Sequence, residues 1–260
     1  MELQGKTAIV TGAAQGIGEA IARKFASRGA AVAIGDINLD KARQVAADIN
    51  KYKGKAAAFK VDVSNKTEID QLVKNTVESF GAVHILVNNA GIGRRQPLHE
   101  MTEECWEAVL NIDLKSVFYG TQAVLPYMKK QRSGRIINIS SVVGIDLFMV
   151  GSANYAAAKA GVIQLTRFTA MEAGRYGIYA NAIAPGVIAT EIATARRSKE
   201  EAERWFEEAK ERCSLGRVGT AEDVANVALF LASDACSYVT GQVIRVDGGR
   251  QDRSMDRALP

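Results

Sequence analysis

The sequence predicts an α/β fold: a doubly wound, seven-stranded parallel sheet with helices on both faces, in a single domain. Three observations predict it. Short, almost continuously apolar runs alternate with longer segments whose apolar residues recur at helical spacing. A glycine-rich turn joins the first run to the first helix. No stretch of the 260 residues has the composition of a linker. Strands buried on both faces of a parallel sheet read as such continuous apolar runs.

The elements follow in order. Thr7 to Val10 is the first strand, and the helix from Gly16 to Arg28 ends at Gly29, a C-cap residue. Ala31 to Ile34, the helix Leu39 to Lys53, Ala57 to Val61 and the helix Thr67 to Phe80 repeat the unit. Ile85 to Val87 leads into a long helical stretch, Thr102 to Lys130, expected to break in two near Asn111. Arg135 to Ile139, the helix Tyr155 to Tyr176, Ala180 to Ala184, the helix Ala221 to Leu231 and the strand Val243 to Val246 complete the pattern. Glu200 to Arg212 reads as a further amphipathic helix. The domain is expected to span residues 1–249, followed by a polar tail, 250–260.

Composition narrows the function classes. With 47% hydrophobic and 24% charged residues, the chain is a globular protein with a large core. Its 33 basic and 29 acidic residues are evenly spread, unlike a nucleic-acid-binding surface. Met1 to Lys6 lacks the features of a secretory signal, and no apolar run is long enough to span a bilayer. A cytoplasmic protein without membrane or nucleic-acid partners is expected. Cys105, Cys213 and Cys236 are odd in number and widely spaced, so neither a disulfide framework nor a metal site is expected.

The loop Thr11-Gly12-Ala13-Ala14-Gln15-Gly16-Ile17-Gly18 sits between the first strand and helix. Its glycines permit a tight turn and close backbone approach to a pyrophosphate, which the helix N-terminus would attract. Three residues separate Gly12 from Gly16, so the spacing is not that of the common dinucleotide fingerprint, and glycines that merely turn the chain would look the same. Asp36 ends the second strand, eighteen residues beyond Gly18, where a carboxylate accepts hydrogen bonds from adenosine ribose hydroxyls. It would repel the additional phosphate of NADP, and Gln15 adds no compensating positive charge, so NAD is the expected cofactor. An ordinary turn aspartate is the alternative.

Asn88-Asn89-Ala90-Gly91, Tyr155-Ala156-Ala157-Ala158-Lys159 and Pro185-Gly186 follow the glycine loop in order. With these motifs the sequence resembles the short-chain dehydrogenase/reductase family from about Gly5 to Gly249. The resemblance implies a Rossmann-like fold and hydride transfer between nicotinamide and a secondary alcohol or its ketone. It places Gly12, Gln15, Gly16, Ile17, Gly18 and Asp36 on the cofactor, with Asp62 and Val63 flanking the adenine. Asn89, Ala90 and Gly91 would support the cofactor and the central sheet. Beyond Pro185 and Gly186, Ile188 would offer its backbone and Thr190 would meet the carboxamide. The family's catalytic tetrad falls on Asn111, Ser141, Tyr155 and Lys159, the last two also touching the cofactor. Thirteen residues lie between Ser141 and Tyr155 where many relatives have twelve, so Ser140 competes. Ser141 is preferred because Val142-Val143-Gly144 follows it. His84 stands where an aspartate is common and reads as a local surface variation.

The chemistry suits these residue types. One acid/base group can serve both directions, taking the alcohol proton as hydride leaves or protonating the developing alkoxide. A free tyrosine titrates near pH ~10, too high for an efficient base, and needs a neighbouring cation. Lys159, four residues on, shares a helix face with Tyr155, and its other donors can hold the nicotinamide ribose. Ser141 can donate to the substrate oxygen, and the resemblance gives Asn111 a water linking Lys159 to solvent. Alone, each of these residues would be an ordinary surface pair, turn or cap.

Residues 187–213 resemble the family's substrate lid, with Trp205 and Phe206 able to close over a ligand or simply pack. Phe148, Met149 and Val150 suggest a partly apolar pocket wall, and Arg196 and Arg197 would suit an anionic substrate. Arg132 matches a basic position of 3-oxoacyl carrier-protein reductases. That subgroup normally uses NADPH, and Tyr176 stands where it often has a second arginine, next to Arg175. A 3-oxoacyl-[acyl-carrier-protein] or acyl-CoA reductase is therefore the alternative to a general alcohol dehydrogenase. A non-catalytic dinucleotide sensor is the competing class, although such proteins commonly lose the Tyr or Lys retained here. The resemblance also implies a homotetramer built through about Asn111 to Lys130 and Tyr155 to Tyr176.

Overall fold

A computed structural model describes residues 1–146, 149–191 and 198–250. The chain runs β1 (Thr7–Thr11), α1 (Gly16–Ser27), β2 (Ala31–Asp36), α2 (Leu39–Lys51), β3 (Lys55–Lys60), α3 (Lys66–Phe80), β4 (Ile85–Asn88) and α4 (Glu103–Leu110). It continues through α5 (Ser116–Gln131), β5 (Gly134–Ile139), α6 (Ala153–Ala173), β6 (Ile178–Pro185), β7 (Ile188–Ala189), α7 (Lys199–Glu211), β8 (Gly219–Thr220), α8 (Ala221–Ala232) and β9 (Val243–Val246). Seven of these strands form one sheet in the order β3-β2-β1-β4-β5-β6-β9, and the pairs are parallel throughout.

The continuous apolar runs arise because each strand feeds two cores. Along β1, Ala8 and Val10 point into one layer while Ile9 points into the other, and all three are fully buried. The first layer packs α1, α2 and α8 on the sheet through Ile21, Phe25, Val45 and Leu231. The second packs α3, α5 and α6 through Leu72, Val73, Val124, Met128 and Ala170.

Strand ends extend beyond the apolar runs because backbone pairing, not hydropathy, sets them. Thr11 pairs with Gly35, and Asp36 with Lys60. Gly29 does stand just past α1, at φ 98°. The expected break near Asn111 is a π-helical turn, Asn111–Lys115, running without interruption between α4 and α5. The pair β7 and β8, two residues each, is too short to leave a pattern in the sequence.

Strand order reverses between β1 and β4, so the chain leaves these neighbours in opposite directions. A crevice forms there beyond the strands' carboxyl ends, between the turn after β1 and the turn after β4.

Candidate active site

The glycine loop is packed from below by the turn after β4. Asn89 Nδ2 donates to the carbonyls of Thr11 and Gly12 at 2.9 and 3.0 Å. Thr11 Oγ1 accepts from the backbone amides of Asn89 and Ala90 at 3.1 and 3.2 Å. There is no room for side chains at the contact: a Cβ on Gly12 would lie 2.8 Å from Ala90 Cα, and one on Gly18 2.3 Å from the Gly12 carbonyl oxygen. The outer side differs. A Cβ on Gly16 would meet nothing nearer than Thr190 Cγ2 at 3.7 Å, which also places Thr190 over the start of α1. Gln15 caps α1 without a side-chain bond to its first turn. The unpaired amides of that turn, beside Gly16, Ile17 and Gly18, suit an anion. These features fit a dinucleotide pyrophosphate.

Asp36 is held at the mouth of this loop. Its carboxylate accepts from the Ala14 amide at 3.0 Å and from the Asn38 amide at 2.9 Å. Lys41 Nζ donates to Gln15 Oε1 at 3.1 Å and lies 3.6 Å from Glu191, so it lies beside the loop with acidic company. After β3, Asp62 Oδ1 accepts from the amide and hydroxyl of Ser64. Val63 buries its side chain in the second core. Gly186 lies tight against Asp247, where a Cβ would come within 2.7 Å of the aspartate Cβ, and Ile188 is buried where β7 pairs with β8.

At the other side of the crevice α6 presents Tyr155 in its first turn and Lys159 one turn later. Lys159 is almost fully buried, with its ammonium 5.5 Å from the centre of the Tyr155 ring. It donates to the Ile139 carbonyl at the end of β5 at 3.0 Å. Asn154, fully buried, accepts the Tyr155 amide and donates to the carbonyls of Arg94 and Cys105, which fixes the entry to α6. The two serines separate by partner. Ser140 Oγ donates to the Lys159 carbonyl at 2.9 Å and is committed to the fold. Ser141 Oγ accepts from the Val143 amide at 3.2 Å, which leaves its own hydrogen available.

Two sequence expectations need correction. Asn111 does not join this group: it bonds Glu107 and Lys115, both one helical turn away, toward the exposed side. The residue that meets Lys159 is Asp113, fully buried, with Oδ2 3.1 Å from Lys159 Nζ and Oδ1 accepting from the Ile92 amide at 2.8 Å. The physical reason is helical register. Val109, Asp113, Val117, Gly120 and Val124 form the buried stripe of α4, the π turn and α5, and Asn111 lies off it. A lone aspartate on an apolar stripe was the sequence signal that reading by residue type missed.

His84 is likewise more than surface variation. Its Nδ1 accepts the Thr7 amide at 3.0 Å, satisfying the edge of β1 just before the sheet begins. Burial, and then Lys6, hold its pKa below the ordinary histidine value.

Electrostatics tie the buried pair together. Desolvation opposes the Lys159 ammonium, but Asp113 and Tyr155 outweigh it, so lysine is held in its charged form above its ordinary range. Burial pushes the Asp113 carboxyl upward, and Lys159 pulls it back in part. Below the site, Asn88 Nδ2 donates to Asn138 Oδ1 and Asn138 Nδ2 to Thr166 Oγ1, a buried polar chain that locks β4, β5 and α6 together.

This geometry matches known proteins over nearly the whole chain. The profile of a family described as enoyl-(acyl carrier protein) reductase matches residues 12–251. The chain is 46% identical to the 3-oxoacyl-[acyl-carrier-protein] reductase of Thermotoga maritima, over 96% of this chain and 99% of that protein. It belongs to the short-chain dehydrogenase/reductase family. Another member, a subunit of (2S)-[(R)-hydroxy(phenyl)methyl]succinyl-CoA dehydrogenase from Thauera aromatica, is 39% identical over 96% of this chain and 98% of its own length. Among solved short-chain dehydrogenase/reductase structures, 7α-hydroxysteroid dehydrogenase with NADH and 7-oxo glycochenodeoxycholic acid superposes with a TM-score of 0.91 at 36% identity, covering 96% of this chain and 95% of that one. Family membership makes the chain an oxidoreductase that binds a nicotinamide dinucleotide.

Some expected residues lie outside the described ones: Phe148, Arg196, Arg197 and the tail from 251. Met149 Sδ accepts from Arg95 Nη2, and Val150 is exposed. In α7, begun by a Ser198–Glu201 capping box, the rings of Trp205 and Phe206 meet at a tilt of 39° with centroids 5.1 Å apart. Arg132 donates to the Arg175 carbonyl and stands just before β5, at the end of the sheet opposite the glycine loop. Among the described residues no helix is long and apolar enough to cross a membrane.

Proposed function

We propose that the chain is an NAD(H)-dependent oxidoreductase that interconverts a 3-oxoacyl thioester and its 3-hydroxy form, a particular case of ketone and secondary alcohol. The observation that carries the chemistry is the buried Lys159 ammonium beside the Tyr155 ring, facing the crevice whose other wall is the glycine cradle. The thioester substrate is supported by the 46% identity to a 3-oxoacyl reductase and the 39% identity to a dehydrogenase subunit acting on a hydroxylated acyl-CoA. A general alcohol dehydrogenase has less support, since the named relatives at this identity handle acyl thioesters.

The bound nicotinamide would accept or supply the hydride. The chain's own residues do the rest. Tyr155 Oη passes the proton to or from the substrate oxygen. Lys159 sets its ammonium beside the Tyr155 ring and offers its remaining donor toward the nicotinamide ribose. Ser141 Oγ donates to the same oxygen and holds it in line. Gly12, Gln15, Gly16, Ile17 and Gly18 cradle the pyrophosphate, and Asp36 takes the ribose hydroxyls. Asp62 and Val63 border the adenine, while Asn89, Ala90 and Gly91 form the floor. Pro185, Gly186, Ile188 and Thr190 hold the carboxamide end. The helix Lys199–Glu211 brings Trp205 and Phe206 to the substrate side as an apolar face.

Arg132 and Arg175 stand at the far end of the sheet from their own chain's site, which favours a substrate recognised through its acyl part and thioester rather than through these arginines. The exposed apolar side chains Phe118 and Tyr127 on α5, and Phe168 and Met171 on α6, support assembly into a homotetramer through these helices.

The test is NADH oxidation with acetoacetyl-CoA beside a panel of simple ketones and steroids. Turnover with the thioester that disappears in Tyr155→Phe, while NADH still binds, supports the assignment. Turnover confined to other ketones would overturn the substrate class, and NADH binding without turnover on any candidate would mark a dinucleotide sensor.

A further inference from the structure

We propose that Arg245 is a positioning residue for substrate binding: its guanidinium clasps Asp146 and Asp247 at once and holds the two walls of the substrate crevice at a fixed separation. This inference deepens the reading above and rests on its assignment of the crevice to an acyl thioester. Neither the hydride nor the proton passes through Arg245. Its effect therefore falls on affinity for the substrate and not on the chemical step.

One wall is the turn that carries Ser141. A single 3-10 turn, Val142–Gly144, follows that serine, and Gly144 lies so close to α6 that a Cβ would come within 2.6 Å of the Lys159 carbonyl carbon. Two residues further on, Asp146 Oδ2 accepts from Arg245 Nη1 at 2.6 Å, across 99 positions of sequence. The other wall is α7, with Trp205 and Phe206, and its foot is tied to the end of β9. Cys213 Sγ, just past α7, donates to the Asp247 carbonyl at 3.5 Å, and the Leu215 amide donates to the Gly248 carbonyl at 3.1 Å. Arg245 Nε donates to Asp247 Oδ2 at 2.9 Å, while Asp247 Oδ1 accepts the Gly249 amide at 3.1 Å.

The fork of a guanidinium makes this a clasp and not two separate contacts. Nε and Nη1 are donors held in one plane, so seating Asp247 on the first fixes where Asp146 stands on the second. Asp247 is itself fixed: its side chain is 10% exposed, and its backbone packs on Gly186, beside the loop given to the carboxamide. Arg245 belongs to β9, in register with Ala184 of β6, so the sheet supplies the reference point. An ion pair this exposed adds little to global stability. In one loop at a binding site, however, the same small free energy is read directly as affinity. Direct recognition of an anionic substrate is the competing use of this cation, and it predicts the opposite sign at Asp146. Removing that carboxylate would then free the guanidinium for substrate phosphates and tighten binding.

The experiment titrates acetoacetyl-CoA into the NAD⁺-loaded protein by tryptophan fluorescence, a complex that cannot turn over because both partners are oxidised. Steady-state KM and kcat with NADH are measured beside it. Asp146→Asn is expected to raise Kd and KM for the thioester about threefold, the scale of an exposed ion pair, with kcat and NADH affinity unchanged. Arg245→Gln should raise them at least as much, and the double variant no further than Arg245→Gln alone. Unchanged thioester affinity in a folded Asp146→Asn protein would overturn the proposal, as would additive losses in the double variant or a fall in kcat at constant Kd. Tighter binding in Asp146→Asn would overturn it too, by making Arg245 a direct ligand. Asp146→Asn keeps the size of an exposed side chain, so it decides the question alone if Arg245→Gln does not fold. Thioester binding without turnover in wild type would overturn the reaction assigned above and leave the clasp to be decided by Kd. Absence of thioester binding in wild type would overturn both.

Discussion

The tightest contact in the site provides a quantitative test of how the glycine cradle works. In Gly18→Ala the new methyl would sit 2.3 Å from the Gly12 carbonyl oxygen, 2.5 Å from Asn89 Nδ2 and 2.9 Å from Ala13 Cα. Two of these three neighbours are backbone, so the clash cannot be relieved by turning a flexible side chain. The loop must lift away from Asn89, which breaks the bonds from Nδ2 to the Thr11 and Gly12 carbonyls. Overpacking costs about 1–3 kcal/mol and each lost hydrogen bond about 0.5–1.5 kcal/mol, so the sum is about 2–6 kcal/mol. In a chain of this size that lowers the melting temperature by on the order of 10 °C. Gly16→Ala is the internal control. Its φ of 63° costs a side chain about 1–2 kcal/mol, but the methyl would make only ordinary van der Waals contact with Thr190, 3.7 Å from its Cγ2. Circular dichroism melts and NADH fluorescence titrations of both variants check this, with the larger loss in stability and affinity expected for Gly18→Ala. Equal melting temperatures in the two variants, with NADH affinity retained in both, would refute close backbone approach as the reason for glycine at position 18.

Other expectations are as direct. Tyr155→Phe should lower kcat by about 10²–10⁴-fold with NADH affinity kept, read from steady-state kinetics beside equilibrium binding. Ser141→Ala should cost about 10²-fold in kcat, whereas Ser140→Ala should show mainly as a lower melting temperature, because its hydroxyl bonds the Lys159 carbonyl. Asp36, fixed by two backbone amides, should make kcat/KM at least about 100-fold higher with NAD than with NADP through repulsion of the extra phosphate, and Asp36→Ser should narrow the ratio to under about 10-fold. His84 sets a pH dependence of stability. Its folded pKa lies below the unfolded value, so its contribution is complete above about pH 6.5 and is lost as pH falls toward the folded value, when the protonated ring can no longer accept the Thr7 amide. Melting temperature should therefore drop between pH 7 and 5 in wild type, and the drop should shrink in His84→Asp, whose carboxylate accepts throughout that window.

The parts of this molecule that were legible in its sequence are those in which one residue type has one physical solution. A parallel strand covered on both sides reads as a nearly continuous apolar run, so Thr7 to Val10 and Arg135 to Ile139 declared themselves, and with them the doubly wound order. Gly29 declared the end of α1 because only glycine enters that backbone region without cost. Strand ends were less legible, since β1 continues past Val10 to Thr11 on backbone pairing that carries no hydropathy signal. The Ser140–Ser141 choice could be made from the residues that follow, but its reason became visible only with partners: one hydroxyl is spent on the Lys159 carbonyl and the other is not.

The misplacement of Asn111 is the more instructive failure, because the residue type was right for the family and the face was wrong. Two residues apart on a helix lie roughly 200° apart around its axis, so Asn111 and Asp113 cannot both look into the site. The buried stripe runs Val109, Asp113, Val117. Periodicity therefore selects Asp113 even though it carries the charge that burial most disfavours. A charged residue on the apolar stripe of a helix has to find a partner across the interface, and in this fold the surface opposite the π turn is α6, which offers Lys159. Had the stripe been weighed above residue identity, the sequence would have pointed to a carboxylate–lysine pair at the catalytic centre. The same conflict between local pattern and residue type appears at His84, where an imidazole accepts the Thr7 amide. Both departures replace a group of one charge behaviour by another at a position that touches the site or the sheet beneath it, which is why both are expected to show first in pH dependence rather than in fold.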